Sequence, residues 1–177
     1  MKIATQTSDE LSHVGKLIDN IPIAMLTTLD DEGALASRPM TVLKMDAQGA
    51  LWFFTDVQSS KVDHLRAVNL SFMDRDQGTY VSLSGHGELN TERARIHSLW
   101  TVLAKPWFPD GPDSSNLALL KVIPHKADDW DVPSSKMVRA FGMVASVIAG
   151  KAEAMGEQGS LTDLSASPQD PARVPPT

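Results

Sequence analysis

The chain has 177 residues, 42% of them hydrophobic, which suits one domain with a sizeable core. Its 16 basic and 22 acidic residues leave a net charge of −6, which argues against a nucleic-acid partner, because such affinity comes largely from neutralised phosphates. There is no cysteine, which excludes disulfides, thiolate metal sites and thiol nucleophiles, and no apolar run approaches the roughly 20 residues that span a membrane.

The opening stretch "MKIATQTSDELSH" has no apolar signal region, so a cytoplasmic protein is expected. In "SDELSHVGKLIDNI", Leu11, Val14, Leu17, Ile18 and Ile21 fall on one stripe. That spacing predicts a helix with Ser8 as N-cap and Pro22 as its stop. Strand-like segments follow at 23–29, 35–45, 51–55, 69–74 and 79–89. The links "DDEG", "DAQG" and "RDQG" are polar and end in Gly, as hairpin turns require. One link differs, since a short helix follows Ser60 between the third and fourth strands. Short antiparallel strands with tight turns indicate a barrel or a sandwich.

Next, "TERARIHSLWTVL" predicts a helix capped by Thr91, with Ile96, Leu99, Trp100 and Leu103 on its inner face. The loop "AKPWFPDGPDSSN" carries Trp107 and Phe108, and a sixth strand falls within 117–130. A further amphipathic helix is expected at 135–150, closed by Gly150. From residue 156 the chain reads as a polar, Pro-rich tail, which sets the domain at 1–155 and the tail at 156–177.

Two places bear on function. At "LWFFTDVQSSKVDHL" an apolar strand runs into a helical turn, with Ser59, Ser60 and Lys61 at the junction. Free N–H groups of a first helical turn, two hydroxyls and an ammonium together suit an anion such as phosphate. The plainer alternative is a serine cap with a solvated lysine. Leu51, Trp52, Phe53 and Phe54 show no polar alternation, so this strand is expected to be covered on both faces. In "ASRPMTVLK", Arg38 shares a face with Met40, Val42 and Lys44, and Pro39 suggests an edge or irregularity. Arg38 needs an anionic partner, either a carboxylate of the chain or a bound phosphate.

The segments "SRPM", "LWFFTD", "SSKVDHL", "YVSLSGHGEL", "LWTVLAKPWFPDG" and "DDWDVPSSK" occur in that order. Together they resemble the bacterial general stress protein family, a branch of the pyridoxamine phosphate oxidase-like FMN-binding split barrels, over roughly residues 8 to 150. The resemblance implies a mainly β fold with flanking helices, an α+β six-stranded antiparallel split barrel. It also implies a homodimer with flavin mononucleotide (FMN) at the subunit interface. Arg38 matches the arginine on the flavin phosphate, and Pro39 and Met40 follow it along the ring system. Phe54 and Thr55 match the aromatic–threonine pair beside the isoalloxazine, and Ser59 and Lys61 match the phosphate-binding turn. Ser60 stands where the oxidase branch usually has arginine, so the clasp has one cation fewer, and a dinucleotide flavin (FAD) becomes an alternative ligand. The C-terminal arginine-and-histidine signature of the true oxidase is missing, which disfavours pyridoxamine phosphate oxidation. Trp107 and Trp130 are candidates to stack on the flavin or to plug the barrel ends.

The functional expectation is a flavin-binding general stress protein, acting as a flavin-dependent oxidoreductase or as a non-catalytic carrier or redox sensor. The five histidines (His13, His64, His86, His97 and His125) fall on different elements without ligand spacing, so no metal site is expected. "SLSGHGE" lacks the glycine pattern of a nucleophile elbow, which disfavours a hydrolase.

Overall fold

The computed structural model describes residues 1–131 and 157–162. The N-terminal strand β1 (Lys2–Ile3) precedes helix α1 (Asp9–Ile18), which starts where the Ser8 hydroxyl accepts the Leu11 N–H at 3.2 Å. That bond satisfies one of the donors a helix leaves free at its start. Leu11, Val14 and Ile18 form its buried stripe. Then come β2 (Ile23–Leu29), β3 (Leu35–Thr41), β4 (Lys44–Met45), β5 (Leu51–Asp56), β6 (Val68–Asp74) and β7 (Thr79–Asn90). Helix α2 (Arg93–Leu99), β8 (Leu117–Asp131) and β9 (Glu157–Thr162) complete the described elements.

The strands form one curled sheet in the order β1-β4-β5-β8-β7-β6-β2-β3, with β9 also on β8. All pairings are antiparallel except β1 with β4. The six expected strands are present, and β1 and β9 are additions to them. The segment expected as one strand at 35–45 divides at Val42–Leu43. Its first part pairs with β2 and its second with β5, so the two ends of the sheet are joined through one stretch of chain. The Val42 N–H goes to the Pro22 carbonyl and the Leu43 N–H to the Trp52 carbonyl, so the backbone stays bonded through the switch.

All three hairpin turns share one chemistry. Asp30, Asp46 and Asp74 each accept two following backbone N–H groups on Oδ1, and Gly33, Gly49 and Gly78 adopt φ of 79°, 83° and 75°. These are left-handed positions, where glycine carries no Cβ penalty.

β5 is covered on both faces, as its composition requires. Leu51 and Phe53 join α1 and the barrel strands in one core. Trp52, with Phe54 packed beside it, joins Ile96, Phe108, Leu117 and Leu119 in a second core under α2 and the following loop. Trp100 packs against that second core.

Four expectations change. Leu103, expected on the apolar face of α2, lies past the helix end in a 3-10 turn and is 76% exposed. Thr91 does not cap α2: Glu92 holds the N-cap position without a side-chain bond, and Asn90 Oδ1 accepts the Glu92 N–H at 3.1 Å. The helical segment after the third strand is a 3-10 turn, Ser60–His64. Within the segment read as tail, residues 157–162 form β9, in register with Lys126–Asp131 of β8. The helix expected at 135–150 lies outside the described residues.

β7 and β8 shift register between Ser84 and Gly85, and a Cβ at Gly85 would collide with the Ile123 carbonyl. Gly85→Ala is therefore expected to lower unfolding free energy by about 1–3 kcal/mol, the usual range for overpacking. Urea denaturation checks this, and an unchanged midpoint would show that the strands re-pair freely.

Candidate functional site

The end of β5 is built by Asp56. Its Oδ1 accepts the Gln58 N–H at 2.8 Å and its Oδ2 accepts Asn116 Nδ2 at 2.7 Å. Its carbonyl takes the Ser59 N–H at 3.1 Å, which turns the chain away from the sheet and into Ser60–His64. This folded-back junction presents Ser59, Ser60 and Lys61. Ser59 makes no side-chain capping bond; its hydroxyl accepts from Lys61 Nζ at 2.9 Å. The capping alternative is thus not what the Ser59 hydroxyl does. Ser60 is exposed at the start of the turn.

Arg38 comes to the same place from β3. It lies on the inward-leaning side of that strand with Ala36 and Met40, half-buried, and its Nη1 donates to Thr28 Oγ1 at 3.0 Å. Among the described residues neither Arg38 nor Lys61 has a carboxylate within ion-pair distance. The Lys61 ammonium is held below the usual lysine range, first by burial and then by the Arg38 guanidinium, while Asp56 pulls it back up. Lys61 is therefore a half-buried cation within the field of the half-buried Arg38 guanidinium, with the Ser59 and Thr28 hydroxyls bonded to them. An anion placed there relieves both the repulsion and the lost hydration.

The other candidate residues divide. Pro39 is exposed on the outer face of β3, whereas Met40 packs against the barrel core. Thr55 is buried, with its hydroxyl directed at the Asp56 carbonyl at 3.5 Å. Phe54 is half-buried, 5.6 Å from the Trp100 ring and 6.5 Å from Phe108. Trp107, next in sequence to buried Phe108, is 73% exposed, so its ring is free for a ligand or a second subunit. Trp130 is partly exposed on β8, opposite Tyr80. Lys44 lies past the Val42–Leu43 switch and lines an open depression of about 370 Å³ with Trp52, Arg95 and Ser98. There the Arg95 guanidinium lies 4.8 Å from the Trp52 ring centre.

Thr28 and Asp56 were not among the sequence candidates. Thr28 carried a signal, as a polar residue at an inward position of the alternating strand "IAMLTTL", and it is 2% exposed. Asp56 carried the signal of an acid at a strand end followed by two serines.

A family model for pyridoxamine 5′-phosphate oxidase-like proteins matches residues 9–154. The chain belongs to that family. Among solved structures it is similar to the general stress FMN/FAD binding protein of Xanthomonas citri. The two are 29% identical, with 72% of this chain and 93% of that one covered and a TM-score of 0.61. A Clostridium acetobutylicum protein related to general stress protein 26 shares the fold at 23% identity and a TM-score of 0.60, over 68% of this chain and 87% of its own. The curated relative Protein bli-3 of Neurospora crassa is 26% identical over 64% of this chain, which spans 60% of the length of bli-3. These solved structures share the fold described above, a curled sheet that is mainly β with two helices among the described residues. No helix among the described residues is long and apolar enough to cross a membrane.

The depressed Lys61 pKa has a stability consequence. The unfolded chain holds this proton more tightly than the folded one, so a charged Lys61 costs stability below its folded pKa, and the cost lifts as pH rises toward the unfolded value. Lys61→Met is expected to raise the melting temperature of the flavin-free protein near neutral pH, with the gain shrinking at alkaline pH. Thermal melts across that range check both statements.

Proposed function

We propose that this chain is a flavin-binding protein of the general stress type that holds FMN in a homodimer, with FAD as the alternative ligand. The observation that carries the reading is that Lys61 feels the Arg38 charge while, among the described residues, neither cation has a carboxylate within ion-pair distance, which suits a phosphate dianion. Arg38 offers a planar fork of donors already braced by Thr28. Lys61 and Ser59 offer an ammonium and a hydroxyl, and exposed Ser60 adds a second hydroxyl without a third cation. Pro39, Met40, Phe54 and Thr55 then form the strand positions along the ring system, and Trp107 is the exposed aromatic that closes over it from the loop.

The dimer is supported by the outer face of the sheet. Ile23 and Met25 of β2, Leu35 and Pro39 of β3, and Met73 of β6 all lie exposed on it. Register places Pro39 beside Met25 and Thr41 beside Ile23, so Ile23, Met25 and Pro39 lie together, while Leu35 sits beside Leu29 beyond the polar Thr27–Ser37 pair. Such a patch marks an interaction surface. A bound flavin supplies the electron chemistry, and these residues supply position and charge.

Absorption and tryptophan-fluorescence titration with FMN, then FAD, tests the reading, with saturable binding of either expected. Arg38→Ala and Lys61→Ala should each weaken binding at least tenfold, about 1.4 kcal/mol. Unchanged affinity in both variants would remove the phosphate clasp. Met25→Glu places a charge within the outer patch and is expected to shift the protein from dimer to monomer in analytical ultracentrifugation, with flavin affinity falling alongside. Reduction of the bound flavin by nicotinamide donors then separates an oxidoreductase from a carrier or redox sensor.

A further inference from the structure

The clasp uses none of the five histidines, yet two of them, far apart in sequence, meet at the sheet irregularity. β7 and β8 stay in register from Thr79 opposite Asp131 to Ser84 opposite Lys126, and then Gly85 stands opposite Pro124. His125 is the extra residue left between these pairs. A bulge of this kind turns the side chain of the longer strand out of its regular alternation. The missing side chain at Gly85 lets the Ile123 carbonyl approach and so permits the bulge. As a result His86 Nδ1 and His125 Nε2 lie 2.7 Å apart, with ring centres separated by 4.8 Å. Across the His86 ring, Nε2 lies 3.7 Å from Glu88 Oε1.

We propose that His86 and His125 form a two-imidazole chelate for a divalent late first-row metal ion. Imidazole nitrogens suit such ions, and bonds of about 2.0–2.1 Å at right angles place two ligand nitrogens about 2.9 Å apart. Tetrahedral angles would place them about 3.3 Å apart. The observed separation is nearer the right-angled arrangement, which a tetragonal ion such as Cu(II) adopts, and half-exposed side chains reach it by parting slightly. Glu88 supplies the outer partner that metal-bound imidazoles usually have. A proton kept on His86 Nε2 facing the carboxylate leaves the Nδ1 lone pair for His125, with which it shares a hydrogen bond in this structure, and for the ion once that bond opens. Among the described residues no group of three or more His, Cys, Asp or Glu converges on one point, so water completes the coordination. The His86 side chain is 34% exposed, which gives the ion and its waters access.

The test is Cu(II) titration of the metal-stripped, full-length protein, followed by calorimetry and electron paramagnetic resonance. Saturable uptake of a single equivalent is expected, with superhyperfine splitting from two imidazole nitrogens. His86→Ala and His125→Ala should each lower affinity at least tenfold and remove the two-nitrogen signature, and Glu88→Gln should lower it roughly tenfold. His64→Ala and His97→Ala should leave it unchanged. Circular dichroism melts confirm that each variant is folded. Failure to bind Cu(II), binding that survives loss of either His86 or His125, or equal sensitivity to His64 and His97 would each overturn the assignment. None of these readouts depends on bound flavin.

Discussion

Leu51 and Phe53 point into the barrel while Trp52 and Phe54 point at α2, so β5 needs an apolar layer on each face and a partner strand on each edge. That requirement orders much of the remaining chain. The inner layer comes from α1 and the barrel strands, the outer one from α2 and the loop after it. The edges come from β4, reached by the partner switch at Val42–Leu43, and from β8, which is 15 residues long and also serves β7. Where the two apolar layers end, β5 must end as well, and Asp56 takes over with hydrogen bonds in place of packing.

The candidate site is a product of that ending. Polar turn chemistry at Asp56 carries Ser59 and Lys61 back toward β3, where Arg38 is braced from β2 by Thr28. Arg38 is held on a strand and Lys61 on a short turn, and the charge of the one bears on the other. Such a site trades stability of the empty protein for attraction toward an anion, a trade commonly found where function and stability compete.

Local features were legible in the sequence. The Ser8 cap, the stripe of α1, the main strands and the Asp–Gly turns follow from short-range spacing, and the double coverage of β5 follows from its lack of alternation. Residue type singled out Arg38, Ser59, Ser60 and Lys61, although their partnership needed the family resemblance. Nonlocal pairings were not legible. The division of 35–45 depends on two partner strands, and the inward position of Thr28 in its alternating strand does not say that Arg38 is its partner. His86 and His125 are 39 residues apart and meet only because one strand carries an extra residue. Met40 and Thr55 sit at the expected strand positions, but their side chains serve the interior, which a list of site positions does not reveal.

The double duty of β8 also bears on how the chain is made. A ribosome delivers residues in order, and β5 and β7 both emerge before Leu117. Until β8 follows, the growing chain carries two strand edges whose N–H and C=O groups have no neighbour, and one of them belongs to β5, whose first four residues are all apolar. Edges of that kind recruit other chains. The late arrival of a single segment therefore sets the interval in which a nascent molecule is open to mispairing, and chains cut short before that segment would keep both edges bare.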